Sequence, residues 1–191
     1  MPMFALFNRF KQPIDIVGKD PEKIVLTRVG KSNASNFKSN FVFTGLLQEN
    51  TELQNGDLFS CTIKGTKKNF IVVALRPSAE SVQATVYMCN GAISVTRKGE
   101  EKYNEDGDLI GTELVHVLDT PCNHVTVNAN MRMMDAGLLP STTKEFRVPI
   151  CDIKLLDRIT LDSKNYCVDA IDTTKFAGLL AVQTSDDNRN L

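Results

Sequence analysis

Four groups of residues in this chain are of types that chemistry uses. Cys122-Asn123-His124, with His116 upstream, offers sulfur and imidazole donors. A zinc site draws four ligands, usually as two close pairs. One loose pair is present, so no metal is expected. Asn104-Glu105-Asp106-Gly107-Asp108 crowds carboxylates around a glycine. A calcium loop of the EF-hand type needs acids at alternate positions, glycine sixth and a terminal Glu, between helices. Here the flanks are strand-like and the Glu is out of register, so the segment reads as a turn. Asp57 and Asp157 each precede a strand, where a short acid bonds the backbone of its own turn; both are assigned to folding. Lys64, Lys67 and Lys68 crowd one turn, and such a tip can neutralise DNA phosphates without reading sequence. No G-x-S-x-G elbow and no glycine-rich phosphate loop is present. The expectation is a chain without catalytic residues, cofactor or metal.

The elements that carry these groups repeat. Gly56-Asp57-Leu58-Phe59 leads through a polar turn to Phe70-Ile71-Val72-Val73-Ala74-Leu75. Leu156-Asp157-Arg158-Ile159 leads through another to Tyr166-Cys167-Val168-Asp169-Ala170-Ile171. A further apolar run follows each copy, Val82 to Val86 and Leu179 to Val182. β-Branched residues dominate these runs, as half-buried strands prefer. Turn signals recur throughout, which argues for a mainly β sandwich or barrel, a duplicated small module with one short helix and long loops.

That helix is read at 128–136, with Met131, Met133 and Met134 on an apolar side and Gly137 as its C-terminal cap. Asn90-Gly91 reads as a tight hairpin turn, and 98–108 as an exposed hairpin tip. Pro13, Gly18 and Pro21 mark 11–23 as a connector. Residues 1–40 are thus expected to be an N-terminal extension and connector. Residues 41–120 form a first β module with a long charged hairpin, and 121–191 hold the helix and second module.

Composition narrows the class. Hydrophobic residues at 42% and charged residues at 24% fit a soluble globular chain of 191 residues. Residues 1–100 are net basic and 101–191 net acidic, a polarity suited to head-to-tail association. The five cysteines are odd in number, scattered and without a C-x-x-C pair, which points to reduced thiols. The first residues lack the basic start of a secretory signal, and no run approaches a membrane span. Phe4, Phe7 and Phe10 recur at spacing three and are expected to contact a neighbouring subunit.

The run Leu155-Leu156-Asp157-Arg158-Ile159-Thr160-Leu161, then Asn165-Tyr166-Cys167-Val168-Asp169-Ala170-Ile171, Leu179-Leu180-Ala181-Val182 and Asp187-Asn188-Arg189, resembles the small neck proteins of tailed bacteriophages, the head-closure or stopper family. Gly56-Asp57 through Val72 echoes the same layout. The resemblance covers about half of the chain. It implies a β-barrel fold and a homo-oligomeric ring in the virion, assembled in the bacterial cytoplasm. Portal or adaptor protein would lie above and tail proteins below, with packaged double-stranded DNA nearby and no membrane. A channel holding DNA favours a repulsive wall, so acidic segments at 100–108 or 169–187 are expected to face the lumen or a neighbouring ring. The chain departs from the pattern in its length, its N-terminal extension, the hairpin near Asn104 and the Met-rich helix. A tail or baseplate protein built on the same module, and a soluble β-barrel nucleic-acid-binding accessory protein, stand as alternatives.

Overall fold

The computed structural model describes residues 7–28 and 41–189. Among these residues, twelve strands close into two six-stranded barrels. The first barrel takes β1 (Gln12–Ile16), β2 (Glu22–Arg28), β3 (Val42–Leu47), β4 (Leu58–Ile63), β5 (Thr66–Pro77) and β6 (Val82–Met88). The second takes β7 (Gly91–Tyr103), β8 (Leu109–Thr126), β9 (Lys144–Pro149), β10 (Arg158–Leu161), β11 (Lys164–Asp172) and β12 (Leu179–Asp186). Strand order is 1-2-3-6-5-4 in one barrel and 7-8-9-12-11-10 in the other, with antiparallel neighbours throughout, so the topology is duplicated. Closure gives each sheet no free edge over the barrel proper.

The duplication reaches single hydrogen bonds. Val72 N–H donates to the Asp57 carbonyl at 2.9 Å, and Val168 N–H to that of Asp157 at 3.0 Å. Each acid also caps its own turn. Asp57 accepts from Gln54 N–H at 2.7 Å, and Asp157 from Lys154 N–H at 2.8 Å. The folding role read for these two acids is what their geometry supplies. β5 slips register between Val72 and Ala74, and β11 between Val168 and Ala170. The tight turns match as well. Lys64 and Gly65 sit at φ 50° and 78°, Asp162 and Ser163 at 48° and 65°, the paired left-handed residues of a two-residue hairpin turn.

The domain boundaries move from where the composition put them. β1 and β2, inside the segment expected to be an extension, complete the first barrel, and the passage between barrels falls at residues 89–90. β1 was masked by Pro13. At that residue the chain pairs with β2 alone, because the β4 ladder begins at Ile14, a place where a missing N–H is tolerated. Asn90-Gly91 makes no hairpin either. Asn90 instead copies a backbone unit, donating to the His124 carbonyl at 2.9 Å and accepting from its N–H at 2.8 Å. A Cβ on Gly91 would lie 2.8 Å from Leu161 Cδ1.

Each barrel interior is filled by alternate side chains. Phe59 stacks on Phe70 at 5.2 Å and Phe43 meets Phe70 edge-on at 5.5 Å in the first. Phe146 meets Tyr166 at 5.7 Å in the second. A third apolar cluster lies between the barrels: Ile71, Val73 and Leu179, with Leu58, Tyr87, Cys89 and Phe176 packed against them. This cluster explains the contrast between the two repeats. Phe70 through Val73 are buried on both faces, so their alternation is lost. In β11 Tyr166 and Val168 are buried while Cys167 and Asp169 are partly exposed, and the alternation is clear.

The helix α1 (Ala129–Met134) is shorter than read. Asn128 caps it, accepting from Met131 N–H at 2.9 Å, but Asp135 ends it and Gly137 does not adopt the left-handed cap. Its methionines do not form a buried side: Met133 and Met134 are exposed and Met131 is half-buried. No described helix is long and apolar enough to cross a membrane.

Candidate functional site

Of the groups that suggested metal chemistry, His116 is kept apart from Cys122 and His124 by the strand that carries all three. His116 and His124 lie eight residues apart on β8, about 25 Å at the rise of a strand. His116 faces Asp119 at 3.5 Å. Burial pushes the His124 imidazole below its ordinary range, and a nearby Lys144 adds to this. Among the described residues, no group of three or more His, Cys, Asp or Glu is placed to hold a metal ion. All five cysteines are free, and burial pushes the thiols of Cys89 and Cys122 up to about 12, so neither is a nucleophile at neutral pH. Asn104–Asp108 is a turn: Asp108 N–H donates to the Asn104 side chain at 2.7 Å, and Gly107 takes φ 87°.

The residues that carried the family resemblance meet in a clasp on the second barrel. Asp187 accepts from Arg158 Nε at 2.8 Å and from Arg189 Nε and Nη2, each at 2.8 Å. Arg158 Nη2 reaches the Arg189 carbonyl at 2.6 Å. Arg97 binds Asp157 through Nε at 2.8 Å and Nη2 at 2.9 Å. These contacts reinforce the β7–β10 seam and hold residues 187–189 against β10. Hydrogen bonds from Arg189, then from Arg158, hold the Asp187 carboxyl well below the usual carboxylate range. Its folded value is depressed, so its stabilisation is complete above the unfolded range near pH 4 and fades as pH falls below it. Asp187→Asn is therefore expected to lose about 2 kcal/mol at pH 7. The gap to the unsubstituted chain should narrow below pH 4, as urea melts across pH would show.

Two of the exposed surfaces include charged or aromatic residues singled out from the sequence. The first is one end of the first barrel. Residues 64–69 are exposed, with Lys64, Lys67 and Lys68 around the β4–β5 turn. Lys67 pairs with Asp15 at 3.2 Å. The β1–β4 register, Ile14 opposite Cys61, places the 3-10 turn Asn8–Phe10 at this same end. Phe10 is 65% exposed and Phe7 39%; Phe4 lies outside the described residues.

The second surface is the β7–β8 hairpin. β10 covers β7 only as far as Thr96, and beyond it β7 and β8 pair with each other alone among the described residues. This arm carries Glu100, Glu101, Glu105, Asp106, Asp108 and Glu113 against Lys98 and Lys102. Tyr103, Leu114 and Val115 are exposed on it. The charged run gave its position; its length was hidden, because only Leu114–Val117 reads as the returning strand, whereas β8 starts at Leu109.

No family model matches the chain, and no curated protein matches it. Two solved structures match it at low similarity. One is described as MrkH, a novel c-di-GMP-dependent transcription regulatory factor: 10% identity, 99% of this chain and 82% of that chain covered, TM-score 0.27. The other is the complex of MrkH from K. pneumonia with c-di-GMP: 9% identity, 98% and 86% covered, TM-score 0.29. Likenesses at these TM-scores carry no inference about this chain.

Proposed function

We propose that this chain is a structural subunit of a tailed-bacteriophage neck, part of a homo-oligomeric ring that closes the DNA-filled head and docks the tail. The observation that supports the reading is the arm: a two-stranded projection with exposed apolar residues, attached to a barrel whose twin closes without one. An isolated two-stranded ribbon is marginal in water, and its open edges invite pairing with another chain. The resemblance of 155–189 to head-closure proteins supplies the location. On this reading the portal or adaptor lies above and tail proteins below, and DNA in the channel meets the protein without sequence readout.

The exposed cluster of Lys64, Lys67 and Lys68 favours a second reading, a soluble nucleic-acid-binding accessory protein. Washed particles decide between them. A neck subunit is expected in every particle in fixed stoichiometry, visible as a ring at the head–tail junction. Absence from washed particles, together with DNA binding that falls steeply with salt, would overturn the neck assignment.

A further inference from the structure

Comparison of the two copies isolates the arm as an addition. β1 and β2 are joined by the short turn 17–21, whereas their counterparts β7 and β8 run on past the barrel. Tyr103 lies seven positions beyond Thr96, the last rung shared with β10. That distance carries the ribbon about 23 Å outward. Residues 100–103 and 113–116 are exposed, so neither of these stretches of the ribbon is covered by the described residues of the barrels. Register slips at Lys98/Glu101 and Lys102/Tyr103 twist the ribbon, a device that discourages indiscriminate edge pairing and leaves side chains to choose the partner.

The arm's charge and apolar content have a counterpart on the same molecule. The arm is acidic around Tyr103, Leu114 and Val115. The end of the first barrel that bears Phe7 and Phe10 also carries Lys64, Lys67 and Lys68, with Asp15 paired to Lys67. The sign holds for whole modules: residues 1–88 hold 11 Lys/Arg and 7 Asp/Glu, and residues 89–191 hold 11 and 16. Within one chain both surfaces stay exposed, so they do not cover each other.

We infer that the acidic arm of one copy docks on the lysine- and phenylalanine-bearing end of the first barrel in the next copy. The contact joins two different surfaces, so it propagates head to tail and closes wherever the rotation divides a circle. This inference rests on the ring reading above and names the surfaces that build the ring.

Charge reversal on each side tests it in the full chain. The arm variant is E100K/E105K/D106K and the tip variant K64E/K67E/K68E, all at exposed positions. Each variant alone presents like charges to its own copies, and each is expected to weaken self-association about ten- to hundredfold by sedimentation velocity. Mixed one to one, they are expected to recover it, because each arm again meets a tip of opposite sign. Failure of the mixture to recover overturns the contact, as does a wild-type chain that stays monomeric up to millimolar concentration. Loss of DNA binding in the tip variant with self-association unchanged overturns it too, and assigns the lysines to phosphate. Images of the neck separate this inference from the ring. A ring of this chain with arms away from the lysine tips removes the contact and keeps the ring; particles without the chain remove the ring itself.

Discussion

Glu145→Ala is expected to cost about 3–5 kcal/mol, on the order of 10 °C in melting temperature for a chain of this size. Glu145 is fully buried on β9 and accepts at both oxygens: Arg147 Nε at 3.0 Å and Lys175 Nζ at 2.5 Å. Arg147, 4% exposed, lies between two rings, 5.0 Å from Tyr87 of the first barrel and 5.4 Å from Phe176 of the second. Removing the carboxylate takes the Nε acceptor from that buried guanidinium and leaves Lys175 to Asp135, its other carboxylate partner at 2.6 Å. Arg147→Ala should cost less, about 2–3 kcal/mol, because Lys175 still neutralises Glu145 while the stacking on Tyr87 and Phe176 is lost. Replacing the pair together, as E145L/R147M, should recover most of the loss, since a packed apolar pair rivals a buried ion pair. Calorimetric melts of the three variants check the ordering. A Glu145→Ala variant within 1 kcal/mol of the unsubstituted chain would show that the network holds nothing together.

The ion network sits where the barrels meet, and that is where the sequence was hardest to read. β4 and β6 were legible to the residue, because Leu58–Ile63 and Val82–Met88 are short β-rich runs between clear turns. The duplication was legible through Asp57 and Asp157, since identical turn chemistry demands the same side chain at the same offset. The interface was not. Ile71 and Val73 look like generic strand residues, and only the failure of alternation in 70–73 marks a strand buried on both faces. Glu145 and Arg147 flank Phe146 with opposite charges at spacing two, a same-face pair in a strand. Nothing local says that this face is covered by Tyr87, some sixty residues earlier. The arm shows the reverse limit. Its acidic tip was read as exposed, but its reach depends on where β10 stops pairing with β7, a non-local fact.

Gly56→Ala and Gly178→Ala should each cost about 3 kcal/mol or more, and they should do so by parting the barrels. Gly56 has φ 93° and Gly178 φ 77°. In that region an alanine costs about 1–2 kcal/mol from the backbone alone. The rest comes from proximity. A Cβ on Gly56 would lie 2.2 Å from the Gly178 carbonyl oxygen, and one on Gly178 would lie 2.2 Å from the Asn55 carbonyl oxygen. These obstacles are backbone atoms in another barrel's loop, so no rotamer change relieves them and the interface must open, at a cost like that of overpacking, about 1–3 kcal/mol. Gly18 and Gly65 supply the control. They have φ 75° and 78°, but a Cβ at either meets nothing within 4 Å, so alanine there should lose only the conformational part. Equal melting temperatures for all four variants would mean that the barrels do not depend on this approach. A deficit confined to Gly56→Ala and Gly178→Ala, with faster proteolysis at residues 89–90 between the barrels, is the expected outcome.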